Sequence, residues 1–218
     1  HTSREAYIPR EPELILGTQR FALLQGIAQQ TAVSLQNIDL IQAKEAETLI
    51  SNFLLQITNL FVASKDLPET LGEITKALLE QTNAEEVALI RFDPEDDRAA
   101  LRYLATKQGR FSYGFENQVA LSRILPALEG LEQAGHLILP GNLLASSGYA
   151  APLSDPDLKS LNSLCFPLTV PGEVHGLLVA VEVDRPGRSQ RVELLKEASL
   201  QIASGIQNYV MQTIQHNQ

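Results

Sequence analysis

The chain carries one cysteine, Cys165, and two histidines away from its ends, His136 and His175. A thiol acts as a nucleophile or redox sensor where its surroundings favour the thiolate. Cys165 falls in the apolar run Ser163–Val170, SLCFPLTV, which favours a small buried strand residue and leaves a redox-responsive thiol as the alternative. A single cysteine forms no internal disulfide and no multi-cysteine zinc site, and it points to a reducing compartment. The histidines show no H-x-x-x-H spacing. His175 reads as a hairpin side chain facing solvent or a neighbouring helix, with metal or haem ligation the lesser alternative. Asp93, Glu95, Asp96 and Asp97 lack the turn glycine and distal glutamate of a calcium loop, so they read as an exposed hairpin turn. Asp155 and Asp157 read likewise as turn and helix-cap residues. No Gly-x-Ser-x-Gly elbow or Gly-x-x-x-x-Gly-Lys-Ser/Thr loop occurs. Without a nucleophile–base pair or a metal-ligand set, the expectation is a protein that is not an enzyme.

The remaining chemistry is aromatic. Of seven Phe and five Tyr, Phe111, Tyr113, Phe115 and Tyr149 gather in residues 107–160, the least regular stretch of the chain. They either line a small-molecule pocket or fill a cavity, and His136 borders the same space. Connections this long often bind ligands. Within the stretch we expect a helix from about Gln118 to Gln133, interrupted at Pro126. A short strand His136–Leu139, ended by Pro140–Gly141, and a loop over Gly148–Pro156 follow.

The elements around this insert are more regular. Pro9 and Pro12 mark residues 1–17 as an extended lead-in closed by Gly17. From Thr18 to Ser64 there is no proline, and apolar or small residues recur at Leu24, Ala28, Thr31, Leu35, Ile38, Ala46, Leu49, Phe53, Ile57 and Leu60. These steps predict one amphipathic helix of about 70 Å, with a weak point at Asp39–Glu47. Such a stripe needs a partner, most simply a second copy, and Leu24, Ala28, Leu35, Ile38, Leu49 and Phe53 are the expected dimer face. A second helix has Asp66 as N-cap, Pro68 in its first turn, Leu71, Ile74, Leu78 and Leu79 on its buried face, and Asn83 as its stop. Glu86–Asp93 and Ala100–Thr106 pair as a hairpin, as do Ser163–Val170 and Val174–Val183 across the turn Pro171–Glu173. Both faces of the run LLVAV are covered. A helix from about Ser189 to Ile214 closes the chain.

Near one end Gln19–Asn37, QRFALLQGIAQQTAVSLQN, matches Gln190–Asn208, QRVELLKEASLQIASGIQN, at a fixed offset of 171, with eight of nineteen positions identical. This is the mark of a serially repeated protein. With 17 basic and 26 acidic residues the net charge is −9, which argues against nucleic-acid binding. No run of about 18 uncharged apolar residues exists to span a membrane, and no signal pattern opens the chain. His1 rather than Met at the start fits a fragment with a vector-derived end.

The order helix, helix, hairpin, irregular insert, hairpin, long helix resembles a GAF domain, a small sensory module. Leu67–Leu79, LPETLGEITKALL, is similar to the family's opening helix. Ser163–Asn208 is similar to its closing block, with Ser-x-x-x-Phe-Pro-Leu, the hairpin glycines Gly172 and Gly176, and LL-x-x-A-x-x-I-A-x-x-I-x-N. The resemblance covers about 46–212, leaving 18–45 as the terminal helix of a preceding module or a connecting helix, and 213–218 as a tail. It implies an α+β fold: a central antiparallel sheet with terminal helices on one face and a pocket on the other, roofed by the insert. Tyr103, Phe111, Tyr113, Phe115, His136, Tyr149 and Cys165 are the implied pocket set. Bilin-binding members attach chromophore through a cysteine in the insert; this insert has none, so a covalent bilin is not expected. The sulfoxide-reducing members use several cysteines, and the cyclic-nucleotide signature of the family is not found.

The expectation is therefore a bacterial, cytoplasmic regulatory module that binds a small-molecule effector and signals through dimerising helices. The alternative is a non-sensing dimerisation and spacer module without a ligand. Neither nucleic acid nor a membrane is an expected partner.

Overall fold

A computed structural model of the chain describes residues 11–63, 66–109, 111–113, 118–149, 160–170 and 173–216. The chain divides into two compact units, His1–Leu49 and Ile50–Gln218. The first is helix throughout its described residues, as the N-terminal part of α1 (Glu11–Ala63). Residues 11–17, expected as extended, are therefore helical, because Pro12 falls in the first turn, where no N–H is required. Residues 1–10 lie outside the described residues. The helix runs without interruption through Asp39–Glu47, where a weak point was expected.

In the second unit the end of α1 is followed by α2 (Leu67–Thr82). Its first turn closes on the Asp66 carbonyl, which accepts from the Thr70 N–H at 3.2 Å and the Thr70 hydroxyl at 2.9 Å. Asn83 ends it in the left-handed conformation, at φ 52°. Strands β1 (Glu86–Asp93), β2 (Arg98–Thr106), β3 (Phe111–Tyr113), β4 (Gln118–Ala120), β5 (Leu137–Pro140), β6 (Leu161–Val170) and β7 (Glu173–Val183) form one sheet in the order β3-β2-β1-β7-β6-β5. β4 also pairs with β2, further along the edge that β3 uses. Every pairing is antiparallel. The fold is the α+β architecture expected from the resemblance.

Alternation along the strands gives the sheet two apolar faces. On one, Val87, Leu89, Leu164, Phe166, Leu178 and Ala180 meet Phe53 and Ile57 of α1, Ile74 and Leu78 of α2, and Leu195, Ala198 and Ile202 of α6 (Arg188–His216). All three helices thus share one face. Phe53, expected in a dimer stripe, is instead 4% exposed in its own core, because α2, α6 and the sheet surround it. α6 extends to His216, two residues past the expected helix end at Ile214 and into the segment set apart as a tail.

The insert departs furthest from expectation. In place of one helix over 118–133 there are β4, α3 (Leu121–Ile124), a 3₁₀ turn (Leu125–Leu128) and α4 (Leu131–Ala134). Pro126 supplies no N–H, while Gly130 and Gly135 take φ of 84° and 71°, bracketing α4 with left-handed residues. A further short helix, α5 (Leu143–Ser146), follows β5. The loop and cap expected at 150–157, including Asp155 and Asp157, lies outside the described residues, as do turn residues 171–172.

Candidate functional site

The face opposite the helices is roofed by the insert. Ile90, Phe92, Leu101, Cys165, Leu177, Val179 and Val181 rise from the sheet to meet Leu121, Ile124, Leu128, Leu131, Leu144 and Tyr149. Three polar side chains fasten this roof. The Tyr149 hydroxyl donates to the Ala99 carbonyl of β2 at 2.7 Å, and burial pushes its pKa well above the usual range, keeping it a donor. Ser163 of β6 accepts from the Leu143 N–H at 2.8 Å and donates to the Gly141 carbonyl at 2.9 Å. Asn142 caps α5 through Oδ1, which accepts from the N–H groups of Leu144 and Ala145, and its Nδ2 donates to the buried Glu86 carboxylate at 2.8 Å. Burial raises the Glu86 pKa, the Asn142 hydrogen bond opposes that rise, and the Glu85 charge adds to it.

Asp97, in the hairpin turn, fixes the other end of the roof. Its carboxylate accepts from the Ser122 N–H at 2.8 Å and the Ser122 hydroxyl at 2.9 Å, and its carbonyl accepts from the Leu121 N–H. Among the described residues no group of three or more His, Cys, Asp or Glu side chains is placed to hold a metal ion. No described helix is long and apolar enough to cross a membrane.

A cavity of about 1420 Å³ opens at the end of the sheet that carries the β1–β2 and β6–β7 turns. It exceeds the roughly 300–1,000 Å³ of a pocket for one drug-sized molecule. Its lining explains the size. Leu71, Leu89, Tyr103, Leu168, Ile206 and Met211 come from the helix face, and Ile90, Phe92, Leu121, Leu128 and Leu131 from the roofed face. The space is a cleft that reaches both faces of the sheet. Arg91, Asp93, Glu95, Arg102, Glu132 and His175 are its charged or titratable lining. Arg102 is an extra residue in β2, since Leu89 pairs with Tyr103 while the adjacent Ile90 pairs with Leu101. Burial and the nearby Arg91 charge hold its guanidinium pKa below the usual range, against smaller opposing contributions from Tyr103 and Asp93.

The expected pocket set is divided by the sheet. Tyr149, 2% exposed, and Cys165, fully buried, lie beneath the roof. Burial drives the Cys165 thiol up to about 12. Tyr103 lies on the helix face and borders the cleft. His136 stacks on Phe166, with ring centroids 5.9 Å apart, and Phe166 belongs to the helix-face core. Phe111 and Tyr113 occupy β3 through their backbone, and Phe115 lies outside the described residues. Of the expected dimer face, Leu24, Leu35, Ile38 and Leu49 are 65%, 58%, 49% and 57% exposed, and Ala28 is exposed as well.

One cluster escaped the sequence reading. Glu182 of β7, 4% exposed, accepts from Arg188 Nε at 2.8 Å and Arg191 Nε at 2.6 Å. Arg191 also donates to the carbonyls of Pro186 and Arg185. A Glu followed six and nine residues later by Arg at a helix start was the available signal.

The GAF domain family matches residues 66–206. The fold is similar to the GAF domain of a phosphoenolpyruvate-protein phosphotransferase from Coxiella burnetii, with TM-score 0.55 and 18% identity over 77% of this chain and 98% of that one. It is also similar to the phycocyanobilin-bound GAF domain of a cyanobacterial phytochrome, with TM-score 0.56 and 18% identity over 72% of this chain and 93% of that one. A third similar structure is the free methionine-R-sulfoxide reductase of Neisseria meningitidis in complex with its substrate, with TM-score 0.51 and 16% identity over 75% and 90% of the two chains. No curated protein matches the sequence.

Proposed function

Because this chain belongs to the GAF domain family, we propose that it is a non-catalytic sensory module of a bacterial, cytoplasmic signalling protein, binding a small molecule in the cleft at the hairpin end of the sheet. The observation that carries this reading is that one cleft touches both the insert and the terminal helix. Leu121, Leu128 and Leu131 form one wall, and Ile206, Gln207, Val210 and Met211 of α6 form another. A ligand that prefers one pose of α6 shifts that helix by its difference in affinity for the two poses. The mostly aliphatic lining suits a largely apolar molecule, and Arg91 with Arg102 offers cationic contacts for an anionic end that keeps clear of Asp93, Glu95 and Glu132 of the same lining.

Native mass spectrometry of the purified chain, followed by thermal melts with fatty acids and alcohols of matched chain length, tests this. A carboxylate at about 100 times its Kd adds about 2.7 kcal/mol, or a rise of roughly 5–11 °C in Tm for a domain of this size. The matched alcohol gives a smaller rise. No bound species and no shift from any probe sinks the sensing reading.

A second reading, a dimerisation and spacer module without a ligand, has its own support. The protein's own side chains fill the roofed face, with Ile124, Leu144 and Tyr149 all buried. Large apolar residues along α1 are exposed and available to a second copy. Light scattering at high micromolar concentration tests it; a monomer removes this reading.

A further inference from the structure

The repeat sets α1 and α6 position against position, and its two copies have opposite surroundings. In α6 the repeated face docks on the sheet, where Leu194 is 7% exposed and Leu195, Ala198 and Ile202 are fully buried. In α1 the residues 171 positions earlier than Leu194, Leu195 and Ala198 are Leu23, Leu24 and Ile27, which are 66%, 65% and 53% exposed, whereas Ile202 corresponds to the exposed Thr31. Leu35, the counterpart of the half-buried Ile206, is 58% exposed.

The polar contacts of α6 have counterparts too. Arg191, which donates to the buried Glu182 carboxylate, corresponds to Arg20. Gln201, whose Nε2 donates to Thr58 Oγ1 of α1 at 2.8 Å, corresponds to Gln30. Gly205 packs so closely on the Phe61 ring that a Cβ there would run into it; its counterpart Ser34 carries a Cβ, so this one contact has no equivalent in α1. A helix selected only to pair with another helix needs apolar residues at heptad spacing. It has no need of an arginine and a glutamine at the places where α6 uses them to grip a strand end and a neighbouring helix.

We propose that the α1 face carrying Leu23, Leu24, Ile27 and Leu35 is the docking surface for the helix-bearing face of a second GAF-type sheet domain, not contained in this sequence. That partner presents an apolar antiparallel sheet with a carboxylate near its last strand's end, which Arg20 grips as Arg191 grips Glu182. The inference is independent of whether the cleft binds a ligand. A second copy of this chain is the competing occupant.

The test exchanges helices within the full chain. Residues 190–208 are replaced by the sequence of residues 19–37, and in a control by residues 34–52, an equally long piece of α1. A sheet-docking helix lets the first chimera melt cooperatively within about 10 °C of the parent, a loss of only a few kcal/mol, while the control unfolds. A first chimera that is no better folded than the control overturns the proposal. In the unaltered chain, Leu24→Asp with Leu35→Asp is expected to leave mass and Tm unchanged, because the covering sheet is not there. If the double variant converts a dimer to a monomer, the face belongs to a second copy and the proposal fails. Neither measurement involves a ligand, so its outcome is separable from that of the sensing reading.

Discussion

Arg191 Nε lies 2.6 Å from Oε2 of Glu182, fastening the end of β7 to the first turns of α6. Arg188 Nε takes the other carboxylate oxygen at 2.8 Å, and its Nη2 lies 2.8 Å from Asp184 as a charge contact without aligned hydrogen-bond geometry. The clamp sits at the junction where the last strand of the sheet passes into the terminal helix.

Glu182→Gln should therefore cost about 3 kcal/mol, at the lower end of the range for breaking a buried pair, since both arginines keep some contact with water. Arg188→Ala should cost only about 1 kcal/mol. Urea unfolding of both variants checks the ranking. A Glu182→Gln loss below that of Arg188→Ala would show that the carboxylate is not the centre of the cluster.

Glu86 gives a pH dependence of defined sign. Its folded pKa is raised above the ordinary 4.5, so the folded state holds this proton more tightly than the unfolded state. Its contribution to stability is fully present below the unfolded pKa and is lost as pH rises through the folded one. Glu86→Gln should remove that loss. The variant should gain on the parent above the folded pKa and lose this advantage toward pH 4, as followed by urea midpoints across pH 4–8. Parallel curves would rule out Glu86 as the source.

Tyr149→Phe removes the hydroxyl that ties the insert to Ala99 while keeping the ring in place. Its expected cost is about 1–2 kcal/mol, a buried hydrogen bond whose acceptor is left behind. Hydrogen exchange should show faster opening at Leu143–Ser146 than in the helices on the far face.

The Cys165 thiol should be inert in the native protein. With burial placing its pKa at about 12, almost none is thiolate at neutral pH. Thiol reagents should label it only on the timescale of unfolding, and denaturant should restore full reactivity. Rapid labelling of the folded chain would revive a redox role.

If the cleft holds an anionic end as proposed, Arg91→Ala should cut the Tm rise given by a fatty acid by more than half. Arg91 is exposed, so the ligand-free Tm should move by less than about 2 °C, within the usual ±0.5 kcal/mol of a surface change. An unchanged ligand response would exclude Arg91 from the site.

Local pattern alone determined the elements whose signals lie within a few residues. The Asp66–Pro68 start of α2, the bounds of β1, the β6–β7 hairpin and the 171-residue repeat are all visible in the sequence, because capping, alternation and identity are short-range properties. Which face each side chain takes was decided only in three dimensions. Simple alternation puts Leu101 and Tyr103 on the same face, yet the extra residue Arg102 turns Tyr103 onto the helix side. The β5–β6 register, pairing Leu137 with Cys165, sends Leu137 beneath the roof and leaves the preceding His136 to stack on Phe166. Leu24 and Phe53 share one stripe by spacing, but only Phe53 has α2, α6 and the sheet around it. A strand's period fixes which residues alternate, and the bulge, the register and the packing partners then decide which of the two sets is core.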